Sequence, residues 1–214
     1  MGCLNTKAGN VKAKATPDSN GKIDPNCNGQ FSNIAQPHNE ALGLSQRQVF
    51  LMKQSWKGIK RRMEETGVEM FVRLFHSDAT LQLLFQKFKH IRSNDELRSN
   101  EALEHHATLV MTTLDDAIVH IDNYDYVQQL LRRVAATHTK FPGFRPEIFF
   151  AMKEPFLEAV KVTLGDRYTD NIRSVYGITI TYILTTMVDG ITDALESLAS
   201  GSQETVAINT KAKS

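Results

Sequence analysis

The sequence has little cysteine, almost no net charge and no long apolar run, and each shortage excludes a class of protein. Cys3 and Cys27 are the only cysteines among 214 residues, so the later part of the chain is no disulfide scaffold and suits a reducing compartment. A formal charge of +1 gives no sign of nucleic-acid binding. No stretch reaches the roughly 18 apolar residues of a membrane span, and residues 1–16 lack the apolar run of a secretory signal. With 41% apolar residues, the chain predicts one domain with a sizeable core.

Residues 1–43 have the composition of an extension rather than of a packed domain. Residues 16–43 are rich in Asn, Ser, Gly, Pro and Gln, which is typical of a flexible tether. The chain begins Met-Gly-Cys-Leu-Asn-Thr, the pattern for N-myristoylation at Gly2, and Cys3 beside it is a thiol for palmitoylation. Three lysines precede the first acidic residue, and one acyl chain holds a membrane stably when a second chain or basic residues assist it. The pattern predicts either a lipid anchor or a disordered extension whose start matches by chance.

Two amphipathic segments in the middle of the chain each carry one histidine on the apolar face. Apolar residues recur at steps of three and four around His106 and again around His138, which is the period of a helix with one buried side. His105 falls on a mostly polar edge and is expected to face solvent, and Ser99 is expected to cap the first of the two helices. An imidazole on a buried stripe either hydrogen-bonds inside a core or holds a metal. Both interpretations stay open at this point.

The residues before these segments predict three further helices. Ser45 is a good N-cap for a first helix that carries Trp56 on its inner face, where the indole is expected to wedge against a later helix. A second helix is expected over 66–76 and a short one over 78–85. Residues 87–100 are expected to form a polar loop.

The residues after them predict two more helices, separated by proline and glycine. Phe-Pro-Gly-Phe at 141–144 ends the second histidine helix, because proline cannot continue a helix and glycine permits the turn. Pro146 suits a helix start, and the helix it opens is expected to reach Gly165 with a kink at Pro155. A final helix is expected over 169–199, although its centre, rich in Ile and Thr, has strand propensity.

The order of these features resembles the globin family. Gln-Ser-Trp at 54–56 and Gly-Val-Glu-Met-Phe-Val-Arg-Leu-Phe at 67–75 look like the first two globin helices. Leu-Phe-Gln-Lys-Phe-Lys-His-Ile at 84–91 resembles the corner after the third helix, where a phenylalanine stacks on the haem. His138 follows His106 by 32 residues, as in neuroglobin-like animal globins and in globin X. The ordered set of Trp, Phe, His and His is specific to this family.

The resemblance covers residues 44–198 and implies an all-α protein. It predicts a single globin fold, the three-on-three helical sandwich, over residues 44–199. Disordered extensions are expected over 1–43 and 200–214. Related animal globins also look the same at the acylated end, which favours the lipid anchor over the chance match.

By the resemblance, the cofactor is haem b, a flat apolar ring that needs a slot between helices and a neutral imidazole on its iron. His138 is expected to be the proximal ligand. Phe85 is expected to stack on the ring, and Lys87 is the candidate partner of a propionate. Leu109 departs from the basic residue that neuroglobin carries at the matching position. The remaining expected lining residues are Phe71, Phe88, Val110, Phe144, Phe149 and Met152, each of which also fits an ordinary core.

His106 then faces the iron from the distal side in one of two arrangements. It hydrogen-bonds to an external ligand and leaves the sixth position open, as in myoglobin, or it ligates the iron itself, as in neuroglobin. The resemblance to neuroglobin and the acylation pattern favour the second. The expected small ligands are O2, CO, NO and nitrite.

Three functions fit these expectations. The leading one is a globin tethered by its acyl chains to the cytoplasmic side of a membrane, expected to be the plasma membrane, where it performs redox chemistry or senses small ligands. This hypothesis includes electron transfer from an unidentified donor, nitrite reduction and protection of lipid from peroxides. The second is a pentacoordinate oxygen store, against which a membrane tether argues. The third is an acylated helical adaptor without a cofactor.

Overall fold

The computed structural model describes residues 38–39 and 42–211, with side chains for residues 42–200. Its regular secondary structure is helical apart from two antiparallel strands of two residues each, β1 His38–Asn39 and β2 Leu44–Ser45. Turns and loops connect the helices. Turns of 3-10 helix occur at Thr137–Lys140, Pro146–Met152 and Gly165–Arg167. The α-helices are α1 Gln46–Lys60, α2 Met63–Ser77, α3 Ala79–Gln82, α4 Asn94–Arg98, α5 Glu101–Val119, α6 Tyr124–Ala136, α7 Lys153–Leu164 and α8 Asp170–Lys211. The all-α prediction is confirmed.

The long helices form two layers. Helices α1, α5 and α6 lie on one side, and α2, α7 and α8 lie on the other, with contacts between the layers at α1–α7, α1–α8, α2–α5 and α6–α8. Apolar side chains from all six fill the space between the layers. This is the predicted three-on-three helical sandwich. Leu42, the first residue whose side chain is described, is buried.

The start of α1 follows directly from its sequence. The backbone N–H of Gln48 donates to Ser45 Oγ at 3.3 Å, and the Ser45 N–H donates to Gln48 Oε1 at 2.9 Å, which is a capping box. Trp56 lies inward, and its ring packs against Phe156 and Tyr176 at centroid distances of 6.5 and 6.2 Å. The predicted N-cap and the predicted wedge are both confirmed.

The cap of α5 differs from the prediction. Asn100, not Ser99, is the N-cap, and its Oδ1 accepts from the backbone N–H groups of Ala102 and Leu103 at 3.1 Å each. Ser99 instead ends α4, a short helix inside the segment predicted to be a loop. Both side chains suit an N-cap, so the choice between neighbours depends on where the preceding helix ends.

The segment after the second histidine also departs from the expected single kinked helix. Gly143 adopts a φ of +84°, a conformation that favours glycine. The chain then forms 3-10 helix from Pro146 to Met152 before α7 begins at Lys153. Pro155 therefore lies in the first turn of α7, where its missing N–H removes no helical hydrogen bond. The predicted kink at Pro155 is wrong, because the irregularity lies before α7 rather than inside it.

Helix α8 extends beyond the end predicted at residue 199. Its backbone is helical to Lys211, into the segment predicted to be a disordered tail, and no proline follows Thr169 to stop it. Asp170–Ser200 is long and apolar enough by composition to cross a membrane, but 56% of its most apolar window is buried inside the structure. That burial is typical of a core helix.

Candidate functional site

His138 lies in the 3-10 turn that continues α6, with its ring held by the backbone. Its Nδ1 is 3.1 Å from the carbonyl oxygen of Val134. A carbonyl only accepts, so Nδ1 carries the proton and Nε2 keeps a free lone pair. Burial lowers the pKa of His138 below its usual value, although the hydrogen bonds to the backbone oppose this shift. The side chain is thus a neutral, oriented imidazole.

Two phenylalanine rings enclose His138. The rings of Phe144 and Phe149 lie 4.9 Å from the imidazole, centroid to centroid, and 5.0 Å from each other. Both residues are among those predicted to line the site. Phe141, which the prediction leaves out, also touches the ring at 6.1 Å. Its signal was visible in the sequence, since it stands only three residues after the histidine.

His106 lies at the edge of the buried stripe of α5 rather than in its middle. The fully buried line of this helix runs through Leu103, Ala107 and Met111, while His106 and Val110 are half-buried. Both therefore face the space beside the core. His105 is exposed, as predicted.

The environment of His106 keeps it neutral. Burial lowers its pKa to about 4, and the charges of His138 and His105 act in the same direction. A charge on His138 would therefore be felt at His106. Among residues 42–200, none forms a hydrogen bond with the His106 ring, so it is not a core histidine held by a polar partner.

Aromatic rings from α2 and from the corner after α3 surround His106. Phe71 and Phe85 each lie 5.1 Å from its ring. Phe88 is buried and stacks on Phe85 at 5.0 Å. Phe75, which is not among the predicted site residues, lies 5.4 Å from Phe85 and completes the cluster.

The remaining predicted residues lie at the margin of the candidate site or outside the described part of the chain. Met152 is half-buried and packs against the core. Lys87 is exposed, which leaves its ammonium free to reach an anionic group at the opening. Gly2 and Cys3 lie outside the described residues.

A surface cleft of about 240 Å³ lies behind the corner after α3, away from both histidines. It shares only Phe75 with the aromatic cluster. Its lining is Phe75, His76, Ala79, Gln82, Ile91, Arg92, Asn94 and Leu97. The cleft therefore opens beside the candidate site rather than into it.

The donor set fits haem. In residues 42–200, no group of three or more His, Cys, Asp or Glu side chains is placed to hold a metal ion. Two neutral imidazoles lined by phenylalanine suit an iron whose other ligands come from an apolar ring. A neutral nitrogen with a free lone pair is what such an iron binds.

Comparison with known proteins agrees with this geometry. Residues 68–187 match the globin family model. The neuroglobin of Tetraodon nigroviridis is 28% identical over 133 residues, which cover 62% of this chain and 83% of that protein. Cytoglobin-1 of Oryzias latipes is 28% identical over 125 residues, or 58% and 68% of the two chains. Neuroglobin-1 of Oncorhynchus mykiss is 29% identical over 152 residues, or 69% and 92%.

A solved structure resembles most of this chain. It is the crystal structure of a hexacoordinated heme protein from an anhydrobiotic tardigrade at pH 4. The TM-score is 0.69 at 32% sequence identity, and the match covers 72% of this chain and 99% of that one.

Proposed function

This chain belongs to the globin family and binds haem, and on that premise we propose that it is a hexacoordinate globin that acts in redox chemistry or ligand sensing at a membrane. Its similarity to neuroglobins agrees with the resemblance seen in the sequence. The family also binds small gas ligands such as O2. These matches favour a haem protein over a helical adaptor without a cofactor.

His138 is the residue that would hold the iron from the proximal side. The Val134 carbonyl fixes the proton on Nδ1, so Nε2 points its lone pair away from the backbone. Phe144 and Phe149 shield the ring from water and help to keep it neutral. Haem, when bound, supplies an iron that exchanges one electron and takes a small ligand.

We propose haem b, held without covalent bonds. Covalent haem attachment uses the pattern Cys-x-x-Cys-His. The two cysteines of this chain, Cys3 and Cys27, are far apart in sequence and neither precedes a histidine in that pattern. Retention would therefore depend on the histidine ligands and on non-covalent contacts with the surrounding side chains.

His106 would be the sixth ligand, and its setting is the single observation that carries the proposal. The ring is neutral, packs against the rings of Phe71 and Phe85 and has no hydrogen-bond partner in the described part of the chain. A histidine retained only to hydrogen-bond a transient ligand would look similar, but the 32% identical tardigrade protein is described as hexacoordinated. When an internal ligand must leave first, the apparent affinity for an external one is reduced by the open fraction.

Two histidine ligands in both oxidation states suit redox work. Little has to move when the electron arrives or leaves, because the protein supplies the same imidazoles before and after. Electron transfer, conversion of nitrite to NO and protection of membrane lipid from peroxides are the acts we propose. The electron donor is not identified by anything in the chain.

The membrane location rests on the sequence. The Met-Gly-Cys-Leu-Asn-Thr start suits myristate on Gly2 and palmitate on Cys3. Two chains together hold a membrane where one does so only marginally. We propose the cytoplasmic face of the plasma membrane, where N-terminal acylation operates.

The test of this function is the rate of CO binding to the ferrous protein. His106→Leu should bind CO at least about tenfold faster than wild type, because no internal ligand has to leave first. His105→Leu is the matched control, since it removes a neighbouring but exposed imidazole, and it should keep the wild-type rate. Equal rates in all three proteins would remove His106 from the iron and leave the oxygen store as the better function.

A further inference from the structure

Two segments that border the candidate site contain no acidic residue. They are residues 79–94 and 126–146. They meet in space, because a Cβ at Gly143 would lie 3.8 Å from Leu84 Cδ2. Each also reaches one site histidine, through Phe85 and Phe144 respectively. Residues 83–92 and 140–145 together thus form a rim at the mouth of the site.

The rim carries unneutralised positive charge. Lys87, Lys89 and Arg92 stand on its first segment, and Lys140 and Arg145 stand on its second. All five are exposed, and among residues 42–200 none of them has a carboxylate within ion-pair distance. Other cations just outside the rim, such as Arg98 and Arg132, do pair with carboxylates. These five cations exceed the two propionate carboxylates that a bound haem would add near Lys87, so the rim still presents a net positive surface on a chain that is close to neutral.

Large apolar side chains are exposed between these cations. Leu83 and Phe141 are each 53% exposed. Leu109 stands three residues after His106 on α5, on the same side of that helix, and is 55% exposed. Apolar side chains flanked by Lys and Arg are the pattern of a surface that enters the headgroup region of an anionic bilayer.

We propose that this rim lies against an anionic phospholipid membrane, with the mouth of the site turned toward the lipid. Its positive charge is complementary to the anionic cytoplasmic leaflet. A soluble acidic protein would also bind the lysines. Transfer of the exposed side chains of Leu83, Leu109 and Phe141 from water into lipid is the more favourable way to bury them. The proposal rests on the membrane location proposed above, and it adds an orientation. The predicted tether does not fix the orientation of the folded part, so the surface of that part decides which side faces the bilayer.

The consequence concerns access to the site. A mouth that opens on lipid admits small apolar ligands and oxidised lipid from the bilayer. Dissolved anions such as nitrite would approach a rim whose cations already bind lipid headgroups. The orientation thus favours lipid-borne reactants over nitrite for the same pair of histidines.

Vesicle binding tests the proposal in full-length holoprotein that carries Gly2→Ala and so has no acyl chain. This protein should sediment with phosphatidylcholine vesicles that contain phosphatidylserine, and not with phosphatidylcholine alone. Added salt should weaken the binding, because it screens the charges. Lys89→Glu with Lys140→Glu should weaken it at least about tenfold, since each basic residue near such a surface contributes roughly fivefold. Leu83→Ser should weaken it severalfold.

The controls match each change at another place. Lys57→Glu with Lys161→Glu changes the net charge by the same amount as the rim pair, but on helices that do not form the rim. Lys57 also matches Lys89, because each hydrogen-bonds a glutamine three residues earlier. Val162→Ser matches Leu83→Ser, because both side chains are 53% exposed. Both controls should bind like the parent protein.

Equal losses in rim and control variants would overturn the proposal, since net charge alone would then explain the binding. So would a parent protein that ignores phosphatidylserine, which would leave an acidic protein as the partner of these charges. An absorption spectrum of each sample reports the haem site independently. Failure of vesicle binding with an unchanged spectrum counts against the rim alone, not against the haem function.

Discussion

His106 and His138 sit in similar apolar surroundings, but their hydrogen bonding differs, and this difference assigns their roles. The Val134 carbonyl holds the proton of His138 on Nδ1, so one fixed nitrogen faces the site. His106 has aromatic contacts only, and nothing in the described chain fixes its ring. The oriented imidazole suits a permanent ligand, and the unfixed one suits a ligand that can leave.

His138→Gly should lose haem much faster than wild type, because the variant removes the site imidazole that the Val134 carbonyl holds in place. Transfer of haem to an acceptor protein measures the rate. Imidazole added to the solution should slow the loss, since it can occupy the space of the missing ring. His105→Ala is the control and should retain haem normally; equal haem loss from it would contradict the helical register of α5.

At this scale the sequence predicts much of the site. The apolar period points to both histidines, and the family resemblance supplies the phenylalanines. Phe75 is missed as a site residue because a phenylalanine on an inner helix face looks the same whether it touches a cofactor or the core. Phe141 is missed because it stands after the helix ends and is 53% exposed, so the apolar period does not select it. Which ring nitrogen of His138 is protonated depends on a backbone contact that no sequence pattern reveals.

Two glycines set the positions of the helices that carry the histidines. A Cβ at Gly67 would lie 2.7 Å from Met111 Cγ and 3.1 Å from the carbonyl oxygen of Ala107, so α2 and α5 touch closely beside His106. A Cβ at Gly190 would lie 2.6 Å from Arg132 Cα, so α8 meets the backbone of α6. Larger residues at either place would move a histidine helix.

Gly190→Ala should lower stability by about 1–3 kcal/mol, because the added methyl group meets backbone that cannot move aside. Thermal unfolding of the holoprotein should show this as a melting temperature several degrees lower. Gly177→Ala in the same helix meets no atom within 4 Å. It should be neutral or raise stability by up to about 1 kcal/mol, since alanine favours helix. A Gly190→Ala protein as stable as Gly177→Ala would show that the two helices do not touch there.

The sequence predicts which segments form long helices, but not the capping residue of each helix or the turns that become 3-10 helix. The 3.6-residue period finds every long helix, because one face of each is buried. The cap at Asn100 and the 3-10 turns before α7 depend on competition between neighbouring residues that each suit the same role. The extension of α8 to Lys211 falls where hydrophobic period ends, so the pattern gives no signal for it.

The whole molecule joins a haem-binding fold to an N-terminal sequence typical of acylation. The polar composition of residues 16–43 predicts that the two parts act independently. Attachment should therefore change where the protein is found and leave the haem site untouched.

In cells, Gly2→Ala should move most of the protein from the membrane fraction to the cytosol, because it blocks myristoylation and usually the palmitoylation that follows, and leaves only the salt-sensitive binding of the rim. Cys3→Ser should leave partial binding through one chain, whose partition constant is only about 10⁴ per molar. Fractionation measures both, and neither variant should alter the haem spectrum. A Gly2→Ala protein as membrane-bound as wild type would refute the anchor while leaving the globin assignment intact.

The most direct measurement of the central claim is the visible absorption spectrum of wild-type holoprotein, recorded without added ligand in the ferric and ferrous states. If His106 and His138 both ligate the iron, the two states should show the sharp bands of low-spin, six-coordinate haem, and His106→Leu should lose them in the ferrous state. A wild-type ferrous spectrum that is already high-spin and five-coordinate would contradict the bis-histidine site.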